Sequence, residues 1–310
     1  MRSHSKLARL QQFSTLTVAA CALAWLGWQW PHAPVRAGVG FVLIVLGYSV
    51  FLAIEFVALR FAGGDGALPR PSWGELTHAW LGETVAAAMV FGWRQPFRWR
   101  EVPDQLEAAP ALPPRRPVVF VHGFICNRGF WTPWLKEMRR LGHPFVALNL
   151  EPVFGSIDDY VAIIDQAVER VTRTAGLAPV LVCHSMGGLA ARAWLQAKSA
   201  DSRVHHVITI GSPHHGTWLG RFSRAANGRQ MRLHSDWLRQ LGSPAAVDQF
   251  TCWYSNCDNI VFPAATATLA GADNRLIAGA AHVDLAFHPK VMAESLAIIR
   301  GEGQAARSAH

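Results

Sequence analysis

The stretch "LVCHSMGGL" (Leu181–Leu189) places a serine between an apolar, strand-like run and a segment rich in alanine and glycine. A serine held at a sharp strand-to-helix turn is presented for nucleophilic attack, and the pattern G-x-S-x-G is typical of such a turn. Gly187 and Gly188 follow Ser185, but Cys183 stands where the pattern has its first glycine. Because cysteine is small and apolar, the steric requirement of the turn is kept. The sequence therefore predicts that Ser185 is a nucleophile.

A serine hydroxyl is a weak nucleophile, so it needs a base that takes its proton and an acid that orients the base. After a turn of this kind, the acid and then the base follow along the chain. His282 ends the run "RLIAGAAH" and is favoured as the base over His288, which we expect to cap a helix or to pack. Asp258 lies just past the run "TCWYSN" and is favoured as the acid. Three other carboxylates are less favoured. Asp248 precedes that run, Asp273 lies in a glycine-rich turn, and Asp284 follows the base itself.

The oxyanion of an acyl-transfer intermediate needs backbone N–H donors near the serine. One donor is the residue after the nucleophile, here Met186, and the other belongs to the loop after the first strand of the domain. The run "VHGF" fits that loop, because Gly123 allows the backbone to turn inward and Phe124 then presents its N–H. His122 and His184 flank these elements, and we expect structural hydrogen bonding from both rather than service as a second base.

The elements that must position these residues begin at Pro117. Short apolar runs alternate with segments of helical periodicity from there to the end of the domain. Predicted strands fall in the run 118–124, which ends in a glycine turn, and in 145–150, 179–185, 205–212, 249–256 and 275–282. The predicted helices are 130–142, 156–176 and 186–198. Apolar strands separated by helices are typical of an α/β fold with a mostly parallel sheet covered by helices. Ligands bind such sheets beyond the carboxyl ends of the strands, where the residues above are expected.

Five stretches in this order, "VVFVHGF", "VCHSMGG", "ITIGSPHHGT", "SNCDNIVFP" and "GAAHVDL", resemble the α/β-hydrolase superfamily, most of all its bacterial triacylglycerol lipases and esterases. The resemblance implies an α/β-hydrolase catalytic domain over 117–300. It also implies a serine ester hydrolase that works through an acyl-enzyme without an organic cofactor. The family's triad positions fall on Ser185, Asp258 and His282, and its oxyanion positions on Phe124 and Met186. Some of these lipases bind structural calcium, but no convincing pair of calcium carboxylates can be matched here.

The basic segment 213–242 carries spaced apolar residues, and on this fold an insertion there would lie over the site. A short lid and an ordinary covering helix are equally good interpretations. The pairs His205–His206 and His214–His215 raise the question of a metal. They lack an H-E-x-x-H pattern and a carboxylate at ligand spacing, so the sequence predicts no metal.

Two stretches before the domain, Ser14–Trp30 and Ala37–Leu59, carry no charge or only Glu55, and their lengths suit a bilayer. The link "PHAPVR" contains two prolines that force a turn. The sequence therefore predicts a transmembrane helical hairpin over 1–63. Glu55 is expected near the interfacial end of its span rather than in a functional site. A cleaved signal peptide, or a lipoprotein signal at "VAAC", is the alternative for the first stretch.

Lysines and arginines lie outside both ends of the predicted hairpin, whereas its turn has only Arg36. By the positive-inside tendency, both ends and the catalytic domain are expected on the cytoplasmic side of a bacterial inner membrane. Residues 64–116 are interpreted as a connector, in which the helical stretch Glu75–Phe91 either packs on the next domain or lies on the membrane surface. The run "EAAPALPPRRP" is predicted to be a linker, and 301–310 a flexible tail.

Composition limits the class of protein further. The chain of 310 residues is 51% hydrophobic and 16% charged, which excludes a disordered protein. A net charge of +8 suits nucleic acid or an anionic membrane, and arginines beside apolar, tryptophan-rich sequence favour the membrane. Five cysteines without a C-x-x-C pair indicate a reducing compartment. A disulfide between Cys252 and Cys257 would need a turn that closes the distance between them, and it stays an alternative.

Three functions fit these patterns. The first is a membrane-anchored serine hydrolase that cleaves carboxylic esters, lipid esters above all. The second is another acyl chemistry on the same residues: acyl transfer, thioester hydrolysis or amide hydrolysis. The third is a non-catalytic, membrane-tethered binding protein that keeps the fold, and the complete serine, acid and histidine set argues against it.

Overall fold

The computed structural model describes residues 5–64, 68–107 and 115–302. Within these ranges an N-terminal group of helices precedes a six-stranded sheet. The strands are β1 (Val118–Val121), β2 (Phe145–Ala147), β3 (Val180–His184), β4 (His206–Ile210), β5 (Phe250–Tyr254) and β6 (Asp273–Leu276). The α-helices are α1 (Lys6–Gln29), α2 (Pro34–Ala62), α3 (Trp73–Ala87), α4 (Gln95–Phe97), α5 (Thr132–Leu141), α6 (Val161–Ala175), α7 (Met186–Lys198), α8 (Ala226–Gln230), α9 (Asp236–Leu241), α10 (His282–Leu285) and α11 (Pro289–Arg300).

The sheet is parallel throughout, in the order β2-β1-β3-β4-β5-β6. Parallel neighbours need long crossover connections, which the intervening helices supply. β3 lies near the centre, with Cys183 opposite Val121 of β1 and Thr209 of β4. The predicted α/β fold with a mostly parallel, helix-covered sheet is therefore confirmed, and Ser185 follows directly from a central strand.

The central strands are apolar on both sides because each face of the sheet has its own core. One face buries Val119, Val121 and Leu181 against α6 and α7. The other face buries Phe120 and Val182 with side chains of α5 and α11. Burial on two faces explains why "VVFV" and "VLVCH" show continuous apolar runs instead of alternation.

Three of the predicted runs extend well past the strands observed. The run 145–150 is extended only to Ala147. The run 118–124 is extended only to Val121, after which the chain turns into the loop of Gly123 and Phe124. The run 275–282 is extended only to Leu276, and His282 begins α10 instead of ending a strand. Gly279 has φ of 77°, a left-handed conformation that interrupts an extended run.

The first two helices lie side by side and are joined by a turn at residues 30–33. Among the described residues one helix, α2, is long and apolar enough to cross a membrane by length and composition, and α1 is less apolar. The outward surfaces of both helices carry large apolar side chains, among them Phe13, Leu16, Leu23, Trp28, Val39, Leu43, Val50, Phe51 and Ile54. A single spanning helix is thus supported by composition, whereas a second span stays a prediction.

The predicted connector contains α3, a π-helical turn over Ala88–Arg94 and α4. Ser72 and Glu75 form a capping box that starts α3. α3 packs on α10, so this part of the chain contacts the domain that follows it. The predicted linker at 107–117 falls mostly, and the predicted tail at 301–310 almost wholly, outside the described residues.

All five cysteines are free, and four of them, including Cys252 and Cys257, are buried. The alternative of a Cys252–Cys257 disulfide is therefore wrong. Cys252 lies within β5, whereas Cys257 lies in the loop beyond that strand, in a different apolar cluster. Free thiols buried in apolar surroundings behave as small hydrophobic side chains.

We predict that Gly187→Ala destabilises the protein by about 1–3 kcal/mol, because the added methyl group would collide with backbone carbonyls of β1 and its loop. A Cβ at Gly187 would lie 2.8 Å from the His122 carbonyl oxygen and closer still to that of Val121. Denaturant unfolding of the detergent-solubilised protein measures the change. Gly74→Ala in α3 is the matched control, since no atom lies nearer than 3.9 Å to its new Cβ. Equal stability of the two variants would contradict the prediction.

Candidate active site

Ser185 occupies a strained turn between β3 and α7. Its backbone has φ of 54° and ψ of −129°, a region that a non-glycine residue rarely adopts. Its N–H donates to the Ile210 carbonyl at 2.9 Å, which extends the β3–β4 ladder by one residue. Its carbonyl accepts from the Gly188 N–H at 3.0 Å and so joins the first turn of α7. The turn therefore projects the Ser185 side chain from the carboxyl edge of the sheet.

Close packing holds this turn in place. A Cβ at Gly188 would collide with the Ser212 side chain, and a Cβ at Gly123 would lie 2.8 Å from the Cβ of Ser185. Cys183, in the position of the missing glycine, is fully buried in the β3 ladder between β1 and β4. Burial raises the pKa of its thiol far above the ordinary value, so this cysteine is an uncharged packing residue.

Asp258 and His282 form a buried pair on the same edge. The His282 Nδ1 lies 2.9 Å from each Asp258 carboxylate oxygen. Asp258 Oδ1 also accepts the N–H groups of Ile260 at 2.9 Å and Val261 at 2.7 Å. Burial alone would lower the pKa of His282, but the charge and hydrogen bond of Asp258, with the charge of Glu83, raise it overall. With Nδ1 committed to Asp258, Nε2 is the nitrogen left to exchange a proton.

The structure brings Ser185 close to this pair through its immediate neighbours. The ring of His184 lies 4.7 Å from the ring of His282, measured between centroids, and its Nε2 donates to the His282 carbonyl at 3.2 Å. A Cβ at Gly211, directly after β4, would lie 3.2 Å from His282 Nδ1. Within the described residues the Ser185 hydroxyl forms no hydrogen bond with His282.

His122 and His184 both make structural hydrogen bonds, which is the role expected of them. His122 Nε2 accepts the Leu150 N–H at 3.0 Å, so its Nδ1 donates to the Gly123 carbonyl at 2.9 Å. Burial lowers the pKa of His122 to about 4 and that of His184 well below its ordinary value. Both rings are therefore neutral, and His122 fixes the backbone of the loop that holds Phe124.

The backbone N–H groups of Phe124 and Met186 border the serine turn. Met186 is the first residue of α7, where an N–H has no acceptor within its own helix. Phe124 follows Gly123, whose Cα lies against Ser185, and its ring contacts Phe154. Ile125, next in the loop, has a positive φ of 53°, which is unusual for a β-branched residue and marks strain beside the site.

Two of the alternatives to the predicted base and acid, His288 and Asp273, lie elsewhere. His288 is the N-cap of α11, where its side chain accepts from the Lys290 N–H at 3.3 Å. Asp273 lies in β6 and forms a salt bridge with Arg275. His214 is buried and lies 3.0 Å from the Thr209 hydroxyl through Nε2. No group of three or more histidine, cysteine, aspartate or glutamate residues suited to a metal ion occurs among residues 5–64, 68–107 and 115–302.

The segment 213–242 folds into short helical turns that are anchored at several points. Asn227 Nδ2 donates to the Val153 carbonyl at 2.9 Å, and Trp218 stacks on Phe262. The buried Arg192 of α7 donates to the carbonyls of His214, at 2.8 Å, and Gly242. These contacts secure both ends of the segment against the domain.

Sequence reasoning missed two buried carboxylates beside His282. Glu83 of α3 accepts the backbone N–H groups of Val283 and Asp284, and Glu55 of α2 accepts from the Asn259 side chain. Glu55 was expected near a membrane interface and is instead 7% exposed against the loop of Asp258. The one available signal was its position as the only charge in a long apolar run.

The parallel sheet order, the strained serine after a central strand and the acid–histidine pair on the following loops define an α/β-hydrolase fold. The fold that the resemblance implies is therefore confirmed. A family model described as palmitoyl protein thioesterase matches residues 117–264, a little under half of the chain. No curated protein sequence matches the chain.

Solved structures show the same fold. The mature lipase BlEst2 of Bacillus licheniformis superposes with a TM-score of 0.56 at 16% identity, over 62% of this chain and 95% of its own. Lipase B of Aspergillus fumigatus superposes with a TM-score of 0.54 at 20% identity, over 60% of this chain and 52% of its own. At these identities the similarity establishes the architecture of the domain.

We predict that Asp258→Asn lowers the pKa of His282, because a nearby opposite charge that favours the imidazolium is removed. Histidine-selective NMR titration, with the signal assigned by its loss in His282→Gln, measures the shift. Asp284→Asn, which removes a carboxylate from α10 without touching the Nδ1 hydrogen bond, is the control and should shift the pKa less. An unchanged titration of His282 in Asp258→Asn would refute the pairing as the source of the raised pKa.

Proposed function

We propose that this protein is a membrane-anchored serine hydrolase that cleaves acyl esters through a covalent acyl-enzyme. The observation that carries the proposal is the strained backbone of Ser185 beside the buried Asp258–His282 pair. Strain at a serine is retained where the surrounding fold holds it, and such positions concentrate at active sites. A binding protein that merely kept the fold would have no need of the strained turn and the buried charge together.

In the proposed reaction the Ser185 hydroxyl attacks the acyl carbonyl carbon while His282 Nε2 takes the hydroxyl proton. Asp258 holds Nδ1–H and stabilises the imidazolium. The N–H groups of Phe124 and Met186 donate to the oxyanion. The imidazolium then protonates the leaving alcohol, which departs and leaves the acyl group on Ser185. Water attacks the acyl-enzyme by the same route, with His282 as base, and releases the acid.

Apolar side chains around the oxyanion loop support a hydrophobic acyl group. Phe154 is 53% exposed and contacts Phe124 edge to face, with ring centroids 5.8 Å apart. Ile125, in the same loop, is also exposed. A lipid acyl chain bound at Ser185 would cover these side chains and remove their apolar surface from water.

Thioester hydrolysis is the second candidate, and the match to the palmitoyl protein thioesterase family model favours it. The same residues serve both reactions, because each passes through an acyl-enzyme and an oxyanion. A thiolate leaves more readily than an alkoxide and needs less help from the imidazolium. The two activities are therefore separated by rate on matched substrates and not by the residues of the site.

The N-terminal helices support attachment to a membrane. α2 is apolar along its length, and the segment from Pro34 to Glu55 rises about 30 Å, close to the thickness of a bilayer core. The start of α1 lies beside the catalytic edge, where the Lys6 N–H donates to Glu151 at 2.9 Å. The end of α2 lies beside the same edge through the contact of Glu55 with Asn259. Such an arrangement would hold the site close to the bilayer surface.

The side of the membrane follows from charge. We propose that α1 and α2 both insert, with the turn at 30–33 on the far side and both outer ends on the cytoplasmic side of a bacterial inner membrane. Basic residues at the outer ends support this orientation. Five free cysteines in the folded protein are consistent with a reducing compartment.

We predict that a fluorophosphonate probe labels the full-length protein at Ser185 and that Ser185→Ala loses about 10⁶-fold in ester turnover. The variant lacks the nucleophile, so only the oxyanion donors and binding remain. Turnover of a lipid-like ester by wild type and variant measures the loss. Ser202→Ala, on an exposed turn far from the site, is the control and should keep wild-type turnover and labelling.

Retention of most esterase activity in Ser185→Ala would refute the assignment of the nucleophile. The same assay run on an oxygen ester and a thioester with identical acyl groups separates the two candidate functions. A higher kcat/KM for the oxygen ester supports the first, and preference for the thioester well beyond its intrinsic reactivity supports the second. Failure of the folded wild-type protein to hydrolyse either substrate would favour the non-catalytic reading.

We predict that the wild-type chain stays with the membrane after an alkaline carbonate wash and that Leu43→Lys combined with Val50→Lys releases it. Both side chains are exposed near the middle of α2, where each lysine costs about 3 kcal/mol in a bilayer. Fractionation followed by immunoblotting measures the change. Thr174→Lys with Ala197→Lys, exposed on α6 and α7, controls for added charge and should stay in the pellet. Release of the wild type by carbonate would contradict membrane insertion.

A further inference from the structure

The turn that carries His282 is held from outside the α/β-hydrolase domain. α10 begins at His282, and its N-cap residue is Ala281, which has no side-chain acceptor for the free N–H groups of the first turn. A helix start without such an acceptor leaves its donors unsatisfied unless another part of the chain supplies one. In this protein the acceptor comes from α3, roughly 200 residues earlier in the chain.

Glu83 is that acceptor. The Val283 N–H lies 3.0 Å from both carboxylate oxygens of Glu83, and the Asp284 N–H lies 3.0 Å from one of them. The side chain of Glu83 is 2% exposed, so these hydrogen bonds are shielded from water. When the Glu83 carboxyl group is ionised, these hydrogen bonds are charge-assisted and therefore stronger than neutral ones. They fix the backbone on the carboxyl-terminal side of His282.

Glu55 fixes the backbone at His282 itself through one intermediate residue. Asn259 Nδ2 donates to Glu55 Oε2 at 2.7 Å, which leaves the Asn259 Oδ1 to accept the His282 N–H at 3.2 Å. Asn259 directly follows the acid Asp258, so one amide side chain ties together the loops of acid and base. Three consecutive N–H groups, those of residues 282, 283 and 284, thus depend on carboxylates of the N-terminal helices.

The same carboxylates lie where a positive charge would develop on His282. Among the described residues, their hydrogen-bond partners are an amide and backbone N–H groups, with no lysine or arginine. Burial raises the pKa of Glu83 to about 7, and the charge of His282 and the two N–H groups act in the opposite direction. The imidazolium is therefore the cation that a charged Glu83 would face.

We propose that Glu83, assisted by Glu55, is a positioning residue for the catalytic histidine and stabilises its protonated form, so that the N-terminal helices complete the active site. The proposal rests on the proposed function, since it assigns these glutamates to the reaction of Ser185 and His282. It goes beyond anchoring, because it gives the N-terminal helices a part in the chemistry.

The direction of the pH effect follows from the groups around the ring. His282 faces Asp258 from the loop after β5, Glu83 from α3, Glu55 from α2 and the neutral His184 from β3, with Asp284 nearby on α10. The base must be neutral to act, so kcat/KM rises as His282 loses its proton. Removal of a neighbouring negative charge favours the neutral ring and moves that rise to lower pH.

The test is the pH profile of ester hydrolysis by the full-length protein in detergent, for wild type, Glu83→Gln and Glu83→Ala. We expect Glu83→Gln to lower kcat roughly tenfold with little change in KM and to move the acid limb down by roughly one pH unit. Glu83→Ala also removes the acceptor for two N–H groups and should lose more. Glu55→Gln, which acts through Asn259, should shift the limb in the same direction by less.

Glu75→Gln is the matched control, since it removes an exposed carboxylate from the same helix. That carboxylate contacts Ser72 of the capping box and the Asn256 side chain, and it accepts no N–H group of α10. The variant should keep the wild-type acid limb. Wild-type kcat and an unmoved limb in both Glu83→Gln and Glu55→Gln, with wild-type protein active and labelled at Ser185, would overturn this proposal alone. If a Glu83 variant does not fold, as judged by thermal unfolding, Glu55→Gln decides the question. An inactive, unlabelled wild type would instead overturn the proposed function.

Discussion

The backbone strain at Ser185 is the constraint on which the rest of the site depends. A side chain in this conformation costs of order 1–3 kcal/mol and persists only where its surroundings hold it. Here the N–H of Ser185 continues the β3–β4 ladder and its carbonyl starts α7, so both ends of the residue are fixed. Any relaxation of the turn would break a central strand or the first turn of a buried helix.

The close approach of neighbouring backbone follows from that constraint. Gly187, Gly188 and Gly123 each lie where a Cβ would collide with an adjacent strand, loop or the serine itself. The loop of Gly123 can then place the Phe124 N–H beside the serine, and His122 holds that loop by bonding the Gly123 carbonyl. The Phe124 N–H, a proposed oxyanion donor, is thus positioned by packing of its loop against Ser185 and not by an independent element.

The sequence predicts those parts of the fold and of the candidate site that depend on short local patterns. The apolar runs, the small residues after Ser185 and the order of serine, acid and histidine all lie in short patterns with a physical cause. Asp258 and His282 are proposed from the sequence because each follows a strand-like run, and the structure pairs them, although the strand before His282 ends earlier than predicted. Gly279 breaks the extended run there, and its left-handed φ cannot be read from a run of apolar letters.

The contact of Glu83 with the turn of His282 could not be predicted, because no pattern in α3 indicates a partner 200 residues later in the chain. A glutamate on an amphipathic helix is usually exposed to water, and periodicity alone would place Glu83 on the polar face of α3. Glu55 stands out in the sequence as an isolated charge, but a position near the interfacial end of a membrane span would also explain it. Both assignments needed the tertiary contact between helices α2 and α3 and the loops after β5 and β6.

These contacts extend to the other side of the site as well. Gln95, fully buried at the start of α4, accepts the Asn127 N–H at 2.9 Å through its side chain and the Asn127 amide at 3.0 Å through its carbonyl. Asn127 follows the oxyanion loop by three residues. The chain before the sheet therefore contacts the loops of all three proposed functions. It contacts the loop of the proposed oxyanion donors through Gln95, that of Asp258 through Glu55 and that of His282 through Glu83.

A buried carboxylate without a cationic partner is costly, since burial favours its neutral form. The cost at Glu83 is offset in part by two backbone N–H groups that have no other acceptor, so the glutamate and the helix start satisfy each other. A glutamine could accept both N–H groups through its one oxygen at a lower desolvation cost, but its NH2 group would then face the Val283 N–H in place of the second carboxylate oxygen. That a carboxylate stands there is explained by the ring beside it, which acquires a full positive charge in each half of the proposed reaction. The helices that would anchor the protein are thereby also part of the electrostatic environment of its base.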